Sequence, residues 1–149
     1  MPEVGGGQLE ELYREVILDH YRSPRNRGRL DGTGAAAVDL QNPTCGDDIH
    51  LSLVLEDGRI RDVRFEGRGC SISVASASMM TEALRGKTPE EAVQMGRAFK
   101  DMLQGQQPDD GLGDLAALSG VAQFPVRVKC ATLAWNAMLR ALGRSAGED

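Results

Sequence analysis

The sequence predicts an α+β fold, on three observations. Ile49, Leu51, Leu53 and Leu55 alternate with polar or smaller residues, the period of a strand, and Asp57-Gly58 follows as a two-residue hairpin signal. Apolar residues at helical spacing mark the N-terminal stretch and much of the C-terminal half. The strand signals are clustered and most helix signals come after them, so a repeating strand–helix alternation is absent.

Each element has its own local reason. Leu9, Leu12, Tyr13, Val16, Ile17 and His20 form one helical stripe, closed by Ser23-Pro24 because the residue before proline resists the α region. Residues 25–33 read as a basic, glycine-containing connection, and Ala35 to Leu40 as a short strand. After the strand of Ile49 to Leu55, the return strand runs from Arg59 to Glu66. A two-residue turn puts Ile60 opposite Leu55 on the core face, which leaves Val63 and Phe65 out of phase unless one residue is extra. A β-bulge is therefore expected near Arg61-Asp62. Ser71 to Arg85, rich in Ser and Ala, reads as a helix that sits close to the sheet and stops at Gly86. Thr88-Pro89-Glu90-Glu91 is a capping box with proline at the first helical position, opening a helix to about Gln104. A loop is expected from Gly105 to Asp114 and one helical turn at Leu115 to Leu118. Phe124-Pro125 opens the last helix, with Val128, Ala131, Trp135, Met138, Leu139 and Leu142 on its core stripe.

The composition narrows the function. The chain has 149 residues and reads as one domain over 1–149, with tails at 1–7 and 144–149. Hydrophobic residues are 41% and charged residues 26%, a globular balance. A net charge of −5 argues against a nucleic-acid partner, and no apolar run reaches the length of a membrane span. The N-terminus lacks the basic and apolar regions of a secretion signal, so the expectation is a cytoplasmic protein. Three cysteines in a reducing compartment point to metal binding or thiol chemistry rather than a disulfide framework. His20 and His50, the two histidines, read as packing or surface residues.

Cys45 lies in the turn-forming stretch Asn42-Pro43-Thr44-Cys45-Gly46-Asp47-Asp48, so a thiolate and the Asp47 carboxylate can converge from one loop. Cys70 lies in Gly67-Arg68-Gly69-Cys70-Ser71, where strand gives way to helix, and Cys130 in the first turns of the last helix. A helix N-terminus favours a thiolate, and Arg68, Arg127 and Lys129 add positive charge nearby. Three thiolates and one carboxylate make a four-ligand set acceptable to zinc or to an iron–sulfur cluster. Yet the spacings of 25 and 60 residues fit no short metal motif, and a lone cysteine is most often a small buried hydrophobe. Spacing alone leaves both readings open.

The local sequences carry more than the spacing. Leu12-Tyr13-Arg14-Glu15-Val16-Ile17-Leu18-Asp19-His20-Tyr21 followed by Pro24-Arg25-Asn26-Arg27-Gly28, then Asn42-Pro43-Thr44-Cys45-Gly46-Asp47, Gly67-Arg68-Gly69-Cys70-Ser71-Ile72-Ser73 and Arg127-Val128-Lys129-Cys130-Ala131, resemble in order the motifs of the U-type iron–sulfur cluster assembly proteins. That family comprises the IscU and SufU branches and NifU N-terminal-like domains. The resemblance implies a three-stranded antiparallel sheet packed against about five helices, with Cys45, Asp47, Cys70 and Cys130 meeting as metal ligands at one exposed end. It implies a cysteine desulfurase as partner and either a [2Fe–2S] cluster passed to apo iron–sulfur proteins and downstream carriers or zinc at the same site. Cys45 is the expected persulfide acceptor, because it lies in a glycine-containing loop that can reach a partner, whereas Cys70 and Cys130 begin helices.

Two departures favour the SufU branch. Lys129 stands where the IscU branch has His before the third cysteine, and the stretch from Cys70 to Cys130 is longer than in IscU members. Gln123-Phe124-Pro125-Val126-Arg127 also departs from the Leu-Pro-Pro-Val-Lys segment read by a dedicated Hsp70-type chaperone, so that partnership is not carried over. On this reading the chain is a sulfur acceptor or scaffold working with a desulfurase, not a stand-alone catalyst. A structural zinc module is the alternative. Asp47 in place of a fourth cysteine favours a labile site instead, because a carboxylate is a weaker partner than a thiolate for a soft centre.

Overall fold

The computed structural model describes residues 13–31, 34–43 and 46–143. The elements run in the order α1 (13–22 among the described residues), β1 (Ala35–Asn42), β2 (Asp47–Glu56), β3 (Arg59–Arg68), α2 (Ser71–Leu84), α3 (Pro89–Leu103), a 3-10 segment (Asp110–Gln123) and α4 (Pro125–Ala141). The strands form one antiparallel sheet in the order β1-β2-β3. The α+β fold is thus observed, with a three-stranded sheet and five helical segments among the described residues.

The β2–β3 hairpin turns at Asp57 and Gly58, whose φ values of 54° and 76° are the left-handed pair that a two-residue turn requires. Leu55 pairs with Ile60 and Val54 with Asp62, so Arg61 is the extra residue of the expected bulge. The bulge restores the phase: Ile60, Val63 and Phe65 all face the core beside Ile49, Leu51 and Leu53 of β2. Leu55 does not join them. It is 43% exposed, and its neighbours through Arg59 are exposed too, although Ile60 opposite it is fully buried.

The helices cover one face of this sheet. α2 packs on β3 and α4 on β1 and β2, with α2 and α4 side by side. α2 is buried around most of its circumference (Ser73, Ala75 to Thr81, Leu84), which its small residues permit. Trp135 of α4 stacks on Phe99 of α3 at 4.8 Å, and its indole N–H donates to Ser76 Oγ at 3.2 Å. Ser76 in turn donates to Ala131 O at 2.6 Å, which ties α2 to α4 in the core. α3 opens on the expected capping box, with Thr88 Oγ1 accepting from the Glu91 amide and Glu91 accepting from the Thr88 amide.

Two stretches carry more structure than their sequences suggested. The connection after α1 pairs with β3: Gly28 N–H donates to Phe65 O at 2.9 Å and Phe65 N–H to Asn26 O at 3.0 Å. Its continuation reaches the other face of the sheet, where the Leu30 amide donates to buried Ser52. The expected loop holds only to Asp109, and the turn expected at Leu115 to Leu118 is part of a longer 3-10 segment that starts at Asp110, is kinked at Gly113 (φ 55°) and buries Leu112, Leu115, Ala117, Leu118 and Val121. Among the described residues no helix is long and apolar enough to cross a membrane.

Candidate metal centre

β2 begins one turn earlier than its apolar alternation suggests. Asp47 is its first residue, paired with Asn42 of β1, and it continues the inward-facing series of Ile49, Leu51 and Leu53. The strand period that builds the core therefore also turns a carboxylate inward, and Asp47 is 2% exposed. Gly46 precedes it with φ 74°, and its amide donates to Asn42 O to close the turn. The Asp47 carboxylate is half satisfied. Oδ1 accepts from the Cys70 amide at 3.2 Å, whereas Oδ2 is buried with no hydrogen-bond partner among the described residues.

Cys70 is the N-cap of α2, with extended backbone (φ −72°, ψ 172°), and is partly exposed. Cys130 is buried in the second turn of α4, its Sγ 3.9 Å from Val126 O. The helix N-terminal charge falls off within the first turn, so it acts on Cys70 and not, as the sequence suggested, on Cys130 as well. One carboxylate oxygen of Asp47 and the sulfurs of Cys70 and Cys130 all lie within 4.8 Å of one another. They come from three elements: the start of β2, the cap of α2 and the body of α4.

Cys45 lies outside the described residues, between Asn42 and Gly46. Arg68, Arg127 and Lys129 are all exposed. Arg68 ends β3 and its amide donates to Asp48, while Arg127 and Lys129 lie in the first turns of α4. Arg127 also borders an apolar groove of about 590 Å³ whose walls include Tyr13, Ile17, Ile72 and Phe124, beside Ser71 at the start of α2. Sequence reasoning missed Gly69, where a Cβ would press on both the Asp47 carboxylate and Ser73. The signal was present in the alternate glycines of Gly67-Arg68-Gly69, whose missing side chains leave room where β3 runs into α2.

The chemistry of these donors suits a metal ion. A buried carboxylate oxygen without a partner is costly, and a cation within its reach removes that cost. Two thiols and a carboxylate from three elements are borderline-soft donors of the kind zinc takes, with one position left for a further ligand.

A comparison with known families matches residues 12–142 to the NifU-like N-terminal domain. The zinc-dependent sulfurtransferase SufU of Bacillus subtilis (strain 168) is 51% identical over 141 residues, 93% of this chain and 95% of that protein. The iron–sulfur cluster assembly scaffold protein IscU of Streptococcus pyogenes serotype M1 is 48% identical, over 93% of this chain and 87% of that one. Among solved structures, a candidate cluster-assembly scaffold for the SUF system from Fervidobacterium islandicum AW-1 superimposes with a TM-score of 0.80 at 33% identity. That match covers 86% of this chain and 94% of the other.

Proposed function

The chain belongs to the NifU-like N-terminal domain family, and from that membership we propose an iron–sulfur cluster assembly protein that accepts persulfide sulfur from a cysteine desulfurase and holds zinc at rest. What carries this reading is the convergence of an Asp47 carboxylate oxygen with the Cys70 and Cys130 sulfurs within 4.8 Å, at a carboxylate whose Oδ2 is buried with no hydrogen-bond partner among the described residues. Asp47, Cys70 and Cys130 would hold the ion, and Cys45 would supply the fourth ligand. Zinc, when bound, keeps thiols in the thiolate form at neutral pH.

The residues divide the work by their place in the chain. Cys70 and Cys130 belong to helices tied to the core, so they are suited to hold. Cys45 sits beside a glycine in the connection between β1 and β2, so it is suited to reach into a partner's active site. Sulfur transfer needs direct contact. The Cys45 thiolate attacks the outer sulfur of the donor persulfide, a new S–S bond forms on Cys45, the donor S–S bond breaks and the donor cysteine leaves as thiolate. Two electrons from an external reductant, a thiol or an electron-transfer protein, then break the Cys45 S–S bond, return Cys45 to thiolate and release the sulfur as the sulfide of a [2Fe–2S] cluster, the cargo passed to apo-proteins or downstream carriers. Asp47 is the ligand most readily released, since a carboxylate binds a soft centre less tightly than a thiolate does.

The protein should accelerate cysteine turnover by a pyridoxal-phosphate desulfurase, and Cys45→Ala should abolish the effect. Mass spectrometry after reaction should place the added sulfur on Cys45. Zinc bound tightly with no stimulation of any desulfurase would instead identify a structural zinc module. Persulfide confined to Cys70 or Cys130 would transfer the acceptor role to that residue.

A further inference from the structure

Gly69 stands between the two residues that most need to be placed, Asp47 and Cys70. Its φ lies outside the left-handed region, so its backbone suits any residue, and the reason for glycine has to be space. A Cβ built at this position would lie 2.8 Å from Asp47 Oδ1, 2.8 Å from Ser73 Oγ and 2.9 Å from Ser73 Cβ. Something must shift to admit it. Ser73 Cβ is fixed to the first turn of α2, and Ser73 Oγ can rotate about χ1. Asp47 is the other movable neighbour, and moving its Oδ1 breaks the 3.2 Å hydrogen bond from the Cys70 amide and re-aims Oδ2.

Resting on the metal reading above, we propose that Gly69 is a positioning residue for the Asp47 ligand. By carrying no side chain it lets the carboxylate dock on the Cys70 amide with Oδ1, so that Oδ2 is presented toward the two sulfurs. The amide fixes one oxygen and the missing methyl keeps the other aimed. The role belongs to position 69 in particular. At Gly67, two residues back, a Cβ would meet the β2 backbone at Asp48 and Ile49 instead of the ligand. A substitution there disturbs the sheet, whereas one at Gly69 disturbs the metal centre.

The test is a double-mutant cycle read by zinc affinity, measured in competition with a chromophoric chelator. Gly69→Ala should weaken zinc binding by about 10- to 100-fold, the range for groups that orient a ligand. In an Asp47→Ala background it should cause no further loss. Cobalt(II) in place of zinc should keep its sulfur-to-metal charge-transfer band in Gly69→Ala, while its ligand-field bands shift to those of Asp47→Ala. Losses that multiply in the double variant, or unchanged zinc affinity in Gly69→Ala, overturn the proposal. A second measurement decides the matter if the single variant folds poorly. In a Ser73→Gly background, which removes the contact from α2, Gly69→Ala should lower the melting temperature of the metal-free protein less when Asp47 is also Ala. An equal loss in both overturns the proposal. A parent chain that binds no zinc would sink the metal reading itself, a result separate from either outcome for Gly69.

Discussion

His20 shows how a single side chain ties the first helix to the core and what it does with pH. Ser78 Oγ accepts from the Arg25 amide at 2.9 Å and is hydrogen-bonded to His20 Nδ1 at 2.7 Å. His20 Nε2 lies 3.7 Å from Glu82 Oε1. Burial and, next, the Arg25 guanidinium push the His20 pKa below its ordinary 6.5, against the opposing pull of Glu82, Asp19 and Asp114. The unfolded chain therefore takes up a proton near pH 6.5 that the folded chain still refuses. His20 contributes stability that is present above that pH, falls as pH drops toward the folded pKa, and levels off below it. Urea denaturation across neutral and mildly acid pH should show this decline. His20→Asn, which keeps an acceptor near Ser78 and does not titrate, should flatten it. An unchanged slope in that variant would show that the pH dependence lies elsewhere.

Between single residues and the whole chain, the elements divide into those legible in sequence and those set by tertiary partners. The hairpin and its bulge were readable because Asp57-Gly58 fixes the turn and the apolar phase of Ile60, Val63 and Phe65 demands one extra residue. The opening of α3 was equally plain from Thr88 and Glu91, and it makes a clean prediction. Thr88→Ala should cost about 1 kcal/mol, the usual loss of a helix cap, in chemical denaturation while leaving zinc affinity untouched. The 3-10 segment was not readable, because its buried Leu112, Leu115 and Leu118 follow no helical period strict enough to outweigh its glycines. The pairing of Asn26 and Gly28 with Phe65 was invisible for another reason: backbone hydrogen bonds leave no side-chain pattern. At the site, the residue types and local motifs pointed to Asp47, Cys70 and Cys130. Spacing alone did not, since the chain brings them together only through the packing of β2, α2 and α4.

At the scale of the molecule, the same packing couples metal binding to global stability. Zinc held by β2, α2 and α4 should raise the melting temperature, and a strong chelator should lower it, because a ligand that binds only the folded state stabilises it by mass action. Trp135→Ala, which empties the fully buried space between α3 and α4 and removes the donor to Ser76, should cost about 3–5 kcal/mol. It should weaken zinc binding as well, by loosening α2 against α4. Trp135→Phe should cost only about 1 kcal/mol through the lost hydrogen bond. Zinc affinity unaffected by Trp135→Ala would uncouple the site from the core. The outer edge of β3 carries a different consequence. Its outward amides at Ile60, Val63 and Phe65 are all taken, by Lys87 O, Asp62 Oδ1 and Asn26 O. Over Ile60 to Phe65 an extended peptide, or a second copy seeding a fibril, would find its amide partners already occupied. Along Ile60 to Phe65, visitors must recognise this protein by its side chains, since the main-chain donors there are already engaged.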